Sequence, residues 1–361
     1  MAIELSAHRW RLCFGDGHRR RDRTIEASDL AALEAEMARA KAKFGLPASA
    51  VVVSCYEAGR EGFWLHRWLC SQRVSNVVVD SASIEVDRRR RRAKSDHIDA
   101  RALEGLLERA VGGERRALRV VRVPSVAAED ERRLLREREY LVAERGRHSA
   151  RMKSLLHAHG IRVADHREWR ARLEELTSPA GYRLGPRLRA ELRREYARYR
   201  LVCEQIAELE AELAAMVNSE ADSPVIGLVR QLQALRGVGL VSSWTLVLEL
   251  FGWRVFANRR ELGALSGLRP TPYQSGDSAR EQGISKAGNR RVRRVMLELA
   301  WGWLRHQPTS ALTLWFQRRF GAGGKRLRRV GIVALARKLL VALWRYLHDG
   351  EIPEGTVLTA A

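Results

Sequence analysis

From Leu188 to Met216, apolar side chains recur at steps of three and four residues: Leu188, Leu192, Tyr199, Val202, Ile206, Leu209, Leu213 and Met216, with one break at Glu195. A strand repeats every two residues, so this run specifies one long helix with the seam of a coiled coil. Its opposite face is almost wholly charged. The seam therefore calls for a partner helix, supplied by an antiparallel hairpin in the same chain or by another chain. A core helix is the plainer alternative. Pro179, Gly181, Gly185 and Pro186 divide the Arg-, Glu-, Leu- and Ala-rich stretch from about Val126 to Met216 into two arms.

The region before it reads differently. Ile3 to Phe14 and the turn Gly15-Asp16-Gly17 predict a two- or three-stranded meander. Leu30, Leu33, Met37, Ala40 and Phe44 give an amphipathic helix over Asp29 to Phe44 that ends near Gly45 and Pro47. The run Ala50 to Cys55 then predicts a buried central strand, Glu61 to Ser71 a helix, and Val77-Val78-Val79 a second buried strand. A meander followed by β-α-β with helices on both faces is an α/β order, and ribonuclease-H-like nucleases share that order of elements.

A chain of 361 residues exceeds one compact core, so two domains joined by helices are expected. Lys and Arg outnumber Asp and Glu by 65 to 43, a net charge of +22, with a sequence pI near 10.9. That balance points to a polyanion, with nucleic acid the leading partner. No apolar run is long enough to span a bilayer and no secretory leader is evident, so a cytoplasmic, nucleoid-associated protein without a membrane partner is expected. The four cysteines, Cys13, Cys55, Cys70 and Cys203, form no C-x-x-C pair and read as small buried hydrophobes.

Four acidic residues stand where such a sheet would gather them. Glu4 lies on the first strand, Glu57 just past the central strand, and Asp96 and Asp99 three apart on the helix after Val79, hence on one helical face. Hard carboxylates suit a pair of Mg²⁺ ions about 4 Å apart that activate an attacking group and neutralise a leaving oxygen of a phosphodiester. Taken singly, Asp96 suits a helix N-terminus, Glu57 a turn and Glu4 an edge strand; their joint placement raises the metal reading. His97 reads as solvent-facing. The run Arg88, Arg89, Arg90, Arg91 and Arg92 is a solvated basic face, or beside a metal site a backbone-holding one.

In the last third, Arg236-Gly237-Val238-Gly239 is a Gly-x-Gly turn between helices, the form of a helix-hairpin-helix element whose N–H groups can hold a phosphate. The arginine-rich segment Asn289-Arg290-Arg291 strengthens that case. Between them, Ser275 precedes Gly276 in a proline-framed loop. A serine hydroxyl is a weak nucleophile that needs a base or a metal, and the motif contains no histidine. Asp277 reads as a turn residue, and Ser266, Ser278 and Ser285 are competing hydroxyls.

The motifs Glu57-Ala58-Gly59, Lys94-Ser95-Asp96-His97-Ile98-Asp99-Ala100-Arg101, Gly267-Leu268-Arg269-Pro270 with Ser275-Gly276, and Ile284-Ser285-Lys286-Ala287-Gly288-Asn289-Arg290-Arg291 occur in that order. In this the chain closely resembles the insertion-sequence-110 transposase family. The resemblance implies an α/β plus all-α protein: a RuvC-like mixed sheet over 1–125, a helical coiled-coil linker over 126–220, and a mainly helical serine transposase domain over 221–361. It implies a Mg²⁺ site of Glu4, Glu57, Asp96 and Asp99, with Glu4 standing where the family usually has the shorter Asp, and Ser275 as the nucleophile that forms a phosphoserine link to DNA. It further implies specificity delegated to an element-encoded guide RNA. Nucleic-acid contacts are expected from the arginine run at 88–92, Gly237, Gly239, Lys286, Asn289, Arg290 and Arg291, and a homodimer or homotetramer from the coiled coil. A structure-specific nuclease, or a binding protein without catalysis, is the alternative reading.

Overall fold

The computed structural model describes residues 1–81, 96–114, 116–163, 169–170, 172–219, 223–275 and 278–359; for 96–98, 272–275 and 278–282 it describes the backbone alone. The chain divides into two compact units, Met1–Pro124 and Ser125–Ala361.

In the first unit, strands β1 (Ala2–Leu5), β2 (Arg9–Gly15) and β3 (Arg20–Glu26) form the meander, and β4 (Val53–Glu57) and β5 (Ser75–Val79) complete a five-stranded sheet of order β3-β2-β1-β4-β5. The three meander strands pair antiparallel, whereas β1–β4 and β4–β5 pair parallel. Parallel pairing needs crossovers, which helix α1 (Leu30–Phe44) and helix α2 (Trp64–Ser71) supply. Helix α1 forms where its periodicity predicts, because the Asp29 carboxylate accepts the Ala32 N–H at its start and Gly45 closes its end. The strand expected from Ala50 begins only at Val53, and Val51 is exposed.

Both sheet faces are covered, which is why the central strands are apolar on both sides. Ile3, Leu12, Tyr56 and Val78 pack on one face with Leu33 and Met37 of α1 and Leu65 and Leu69 of α2. Ala2, Cys55 and Val79 pack on the other with Leu103, Leu106 and Leu107 of helix α3 (Asp96–Val111). Cys13 and Cys55 are buried as expected, but Cys70 is exposed and Cys203 half-buried.

The second unit opens with α4 (Val126–Asp130) and two long helices, α5 (Arg133–His157) and α6 (Pro186–Asn218). These pack antiparallel: Arg138 meets Glu210, His148 meets Glu195 and Arg151 meets Glu191, one sequence rising as the other falls. Val202 and Ile206 of the predicted seam bury against Leu141, and Leu192 against Met152 and Leu156.

Helices α7 (Pro224–Gln233), α8 (Leu240–Leu246), α9 (Arg259–Leu265), α10 (Arg290–His306), α11 (Ala311–Phe316) and α12 (Lys325–Asp349) then build one core around Trp244, Met296, Trp303, Leu335 and Leu339. Helices α8 and α11 each run on into a π-helical turn, Val247–Phe251 and Gln317–Gly321. Between α9 and α10, strands β6 (Pro270–Ser275) and β7 (Ser278–Ile284) form an antiparallel hairpin where the sequence reads as a loop. Two prolines in β6 mask it: they weaken a strand reading but are tolerated in a two-stranded ribbon, where a register shift between Pro270 and Pro272 accommodates them. Among the described residues, no helix is long and apolar enough to cross a membrane.

Candidate functional site

Strand pairing assembles the acidic residues of the first unit. Ile3 pairs with Tyr56 across the parallel β1–β4 ladder, so one residue further along both strands Glu4 comes level with Glu57. Ala2 and Cys55, two residues earlier, face α3, and the two-residue repeat of a strand sends Glu4 and Glu57 to that same face. Both line one cavity of about 360 Å³ at the C-terminal ends of the strands, with Arg60 and Glu61 in its wall. The loop after Glu57 is pinned, since Ala58 N–H donates to Val79 O at 2.8 Å and Tyr56 Oη to Gly62 O at 3.0 Å.

Helix α3 runs antiparallel to β1 above this face. Its later turns lie at the start of the sheet, where Glu104 sits against Gly15 and pairs with Arg20. Its first turns lie at the other end, with Ala100 beside Arg11 and Thr24, and Arg11 is the antiparallel partner of Glu4. Asp99, half-buried, stands one turn before Leu103 on the sheet-facing side of the helix, so it belongs to the same end as Glu4 and Glu57. Asp96 begins the helix, but its side chain lies outside the described residues, as do the arginines 88–92.

The donor chemistry, oxygen from carboxylates alone, fits a hard divalent cation. Glu4 and Glu57 share the cavity; among the described residues, no three His, Cys, Asp or Glu side chains converge into a metal-holding group. Arg101, the last residue of the K-S-D-x-x-D-A-R motif, is used structurally, its Nε donating to Asp22 Oδ2 at 2.9 Å and so tying the start of α3 to β3. Cys55 lies beneath the same helix, its thiol pushed up to about 12 by burial, so it offers no competing nucleophile.

In the second unit, Ser275 ends β6 and pairs in register with Ser278 of β7, at the tip of the hairpin. The base of the hairpin is clasped by the two glycine motifs on either side of it. A Cβ on Gly267 would stand 2.1 Å from Ala287 O, and a Cβ on Gly288 2.1 Å from Leu265 O. Both glycines have positive φ, +67° and +87°, and only glycine permits that fold at that separation. Backbone bonds close the clasp, Ser285 N–H to Arg269 O at 2.9 Å and Asn289 N–H to Leu265 O at 2.7 Å. Ser266 is fully buried and donates to Gly263 O, which removes it from competition with Ser275.

The residues expected to contact nucleic acid divide between internal and external use. Asn289 caps α10 by accepting from the Arg291 and Val292 N–H groups, and its amide donates to Glu249 Oε2 at 2.7 Å. Arg291 Nε donates to Glu139 Oε2 on α5 at 2.6 Å, and Arg294 joins the same carboxylate. Burial works to raise the Glu139 carboxyl, but these arginines outweigh it and hold it below the usual range. Arg290 and Lys286 remain exposed. Gly237 and Gly239 form an exposed turn between α7 and α8; Gly237 also packs against α10, where a Cβ would stand 2.8 Å from the His306 Cβ. Glu139, Glu249 and Arg101 have structural roles that sequence reasoning missed, because their partners come from distant segments and no local signal marks them.

Residues 229–314, which carry the clasp and hairpin, match a family model described as the transposase IS116/IS110/IS902 family. Over 377 residues the chain is 40% identical to a putative transposase, y4rJ, of Sinorhizobium fredii, a match covering 99% of this chain and 94% of the relative. It is 29% identical to the transposase for insertion sequence element IS1328 of Yersinia enterocolitica, over 61% of this chain and 63% of that one. It is 27% identical to the transposase for insertion sequence element IS1111A of Coxiella burnetii, over 72% and 68%.

Proposed function

This chain belongs to the IS110 family of insertion-sequence transposases, and from that premise we propose that it cuts and rejoins DNA through a phosphoserine intermediate on Ser275, with the carboxylates of the first unit holding Mg²⁺. The observation that carries the reading is the shared cavity of Glu4 and Glu57 at the ends of two paired parallel strands, with Asp99 at the same end of the sheet on the helix above. The strand order β3-β2-β1-β4-β5 with helices on both faces supports a RuvC-like fold for this unit.

In the reaction, the Ser275 oxygen attacks phosphorus, a P–O bond to deoxyribose breaks, and the serine proton ends on a departing or solvent oxygen. One phosphodiester replaces another, so the bond energy is kept for rejoining. Glu4, Glu57, Asp96 and Asp99 would hold the metal, which when bound lowers the barrier to deprotonating the attacking hydroxyl and offsets charge on the leaving oxygen. The hairpin presents Ser275 at its tip on a base that the glycine clasp fixes, which limits the motion lost on reaching the attack geometry. DNA and an element-encoded guide RNA are the proposed partners, and the antiparallel α5–α6 arm the proposed coiled-coil contact for a dimer or tetramer.

The test is denaturing electrophoresis of the protein with its flanking RNA, Mg²⁺ and a labelled DNA junction from its own element. A covalent protein–DNA adduct is expected, absent in Ser275→Ala and in EDTA. Free cut ends without an adduct would replace this reading by a nuclease in which water attacks.

A further inference from the structure

A large concavity of the second unit lies apart from the acidic cavity and from Ser275. It measures about 1090 Å³ and runs along one face of α12, between that helix, α11 and the foot of the β6–β7 hairpin. Its floor is apolar, with Ile284, Leu312, Val333 and Val341, and small side chains at Ala334 and Ala342 keep it deep. Around it stand six cations, Arg259, Lys286, Arg319, Arg337, Lys338 and Arg345, against two carboxylates, Glu351 and Glu354, so the rim is positive on balance. Among the described residues, only Arg345 has a carboxylate partner, Glu351 at 3.8 Å. Lys338 is instead held over the Trp315 ring, its Nζ 4.7 Å from the centroid, which fixes the ammonium on the groove wall.

We propose that this groove binds a single strand of nucleic acid, phosphates on the cations and unstacked bases on the apolar floor. The inference rests on the transposase reading above for the class of polymer. The choice of a single strand rests on the groove itself. A duplex keeps its base faces stacked inside and offers a protein surface mainly phosphates, so it would leave the apolar floor unused. A single strand satisfies rim and floor together, the combination found in channels that hold unpaired strands. The volume lies at or above the upper end for a small-molecule pocket, as a polymer segment requires. Placement adds a reason: Pro270 and Ile284 pair at the hairpin foot and line the groove, so Ser275 lies five residues along the same strand, about 17 Å away. A strand in the groove would thus pass about 17 Å from Ser275.

The experiment is fluorescence anisotropy of the full chain in EDTA, with a labelled oligothymidylate strand and a labelled duplex of equal length. Ala342→Trp fills the floor without removing charge. It is expected to weaken the single strand roughly tenfold, the loss of about one stacked base, and to leave the duplex within about twofold. Lys338→Ala, at an exposed position, keeps the fold in case the tryptophan does not; it should lower the salt slope of single-strand binding by about one and leave the duplex slope unchanged. Equal losses for strand and duplex, or none in either variant, would overturn the proposal, as would wild-type protein that binds duplex alone. A fall in mass by light scattering on Ala342→Trp would assign the groove to a second copy of the chain instead. Wild-type protein that binds neither probe would instead remove the nucleic-acid reading on which this one stands.

Discussion

Glu104 shows how a single carboxyl can carry pH dependence away from any chemistry. It is almost wholly buried on α3, its oxygen lies where a Cβ on Gly15 would be, and Arg20 reaches it at 2.8 Å. Burial first, then its bond with Glu108, pushes it up to about 7. A carboxyl raised in the folded state favours folding while protonated, so its contribution is complete below the unfolded value near 4.5 and is lost as pH rises through about 7. Thermal melts should therefore show the first unit less stable at pH 8 than at pH 5. Glu104→Gln should flatten the difference by several degrees, the shift expected of about 1 kcal/mol in a unit of this length. An unchanged difference would mean that another group titrates. The two glutamates that share the cavity differ from Glu104 in legibility. Glu4 and Glu57 could be read in sequence because each ends an apolar run, and parallel pairing brings strand ends together. Glu104 could not, since its burial depends on Gly15, a turn residue nearly ninety positions earlier.

At the scale of elements, the arm of α5 and α6 turns on the position where its periodicity fails. Glu195 sits in the seam, nearly fully buried, 2.7 Å from His148 Nδ1 and 2.9 Å from Arg198. Burial acts to raise this carboxyl, but the bonds from His148 and Arg198 outweigh it and hold it low. An apolar residue there would extend the seam in several registers, whereas a buried acid has one histidine to meet. Glu195→Leu alone takes from His148 the nearer of its two carboxylates, leaving Glu144 at 3.6 Å, and should destabilise the arm by about 1–3 kcal/mol. Glu195→Leu with His148→Leu should recover that loss in a denaturant melt. If the double variant stays as unstable as the single, the pair is not what couples the helices. The break at Glu195 was visible in the sequence; its meaning was not, because the histidine lies on the other arm. The β6–β7 hairpin was hidden for a different reason: its prolines and glycines carry turn statistics, and only the ribbon's freedom from neighbours lets them stand in strands.

For the whole molecule, charge was the most legible property and side-chain use the least. The excess of basic residues predicts that DNA affinity falls by roughly 10³-fold or more between 50 and 200 mM salt, measured by anisotropy on a junction duplex; a flat profile would show that few phosphates are contacted. Yet basic residues grouped together in sequence serve different ends once folded. Arg291 is spent on Glu139, whereas Lys338 and Arg337, unremarked in the sequence, line a groove in which cations outnumber carboxylates. Motifs point to the family and periodicity to the order of elements, but partners from distant segments decide which motif residues face outward.

The glycine clasp has a consequence for how such proteins can diversify. Gly267 and Gly288 fasten the hairpin at its root, so insertions at its far end are expected to leave the helical body folded, which thermal melts of such variants would check. A graft that carries both glycines should transplant the hairpin intact, and one that splits them should fail at folding.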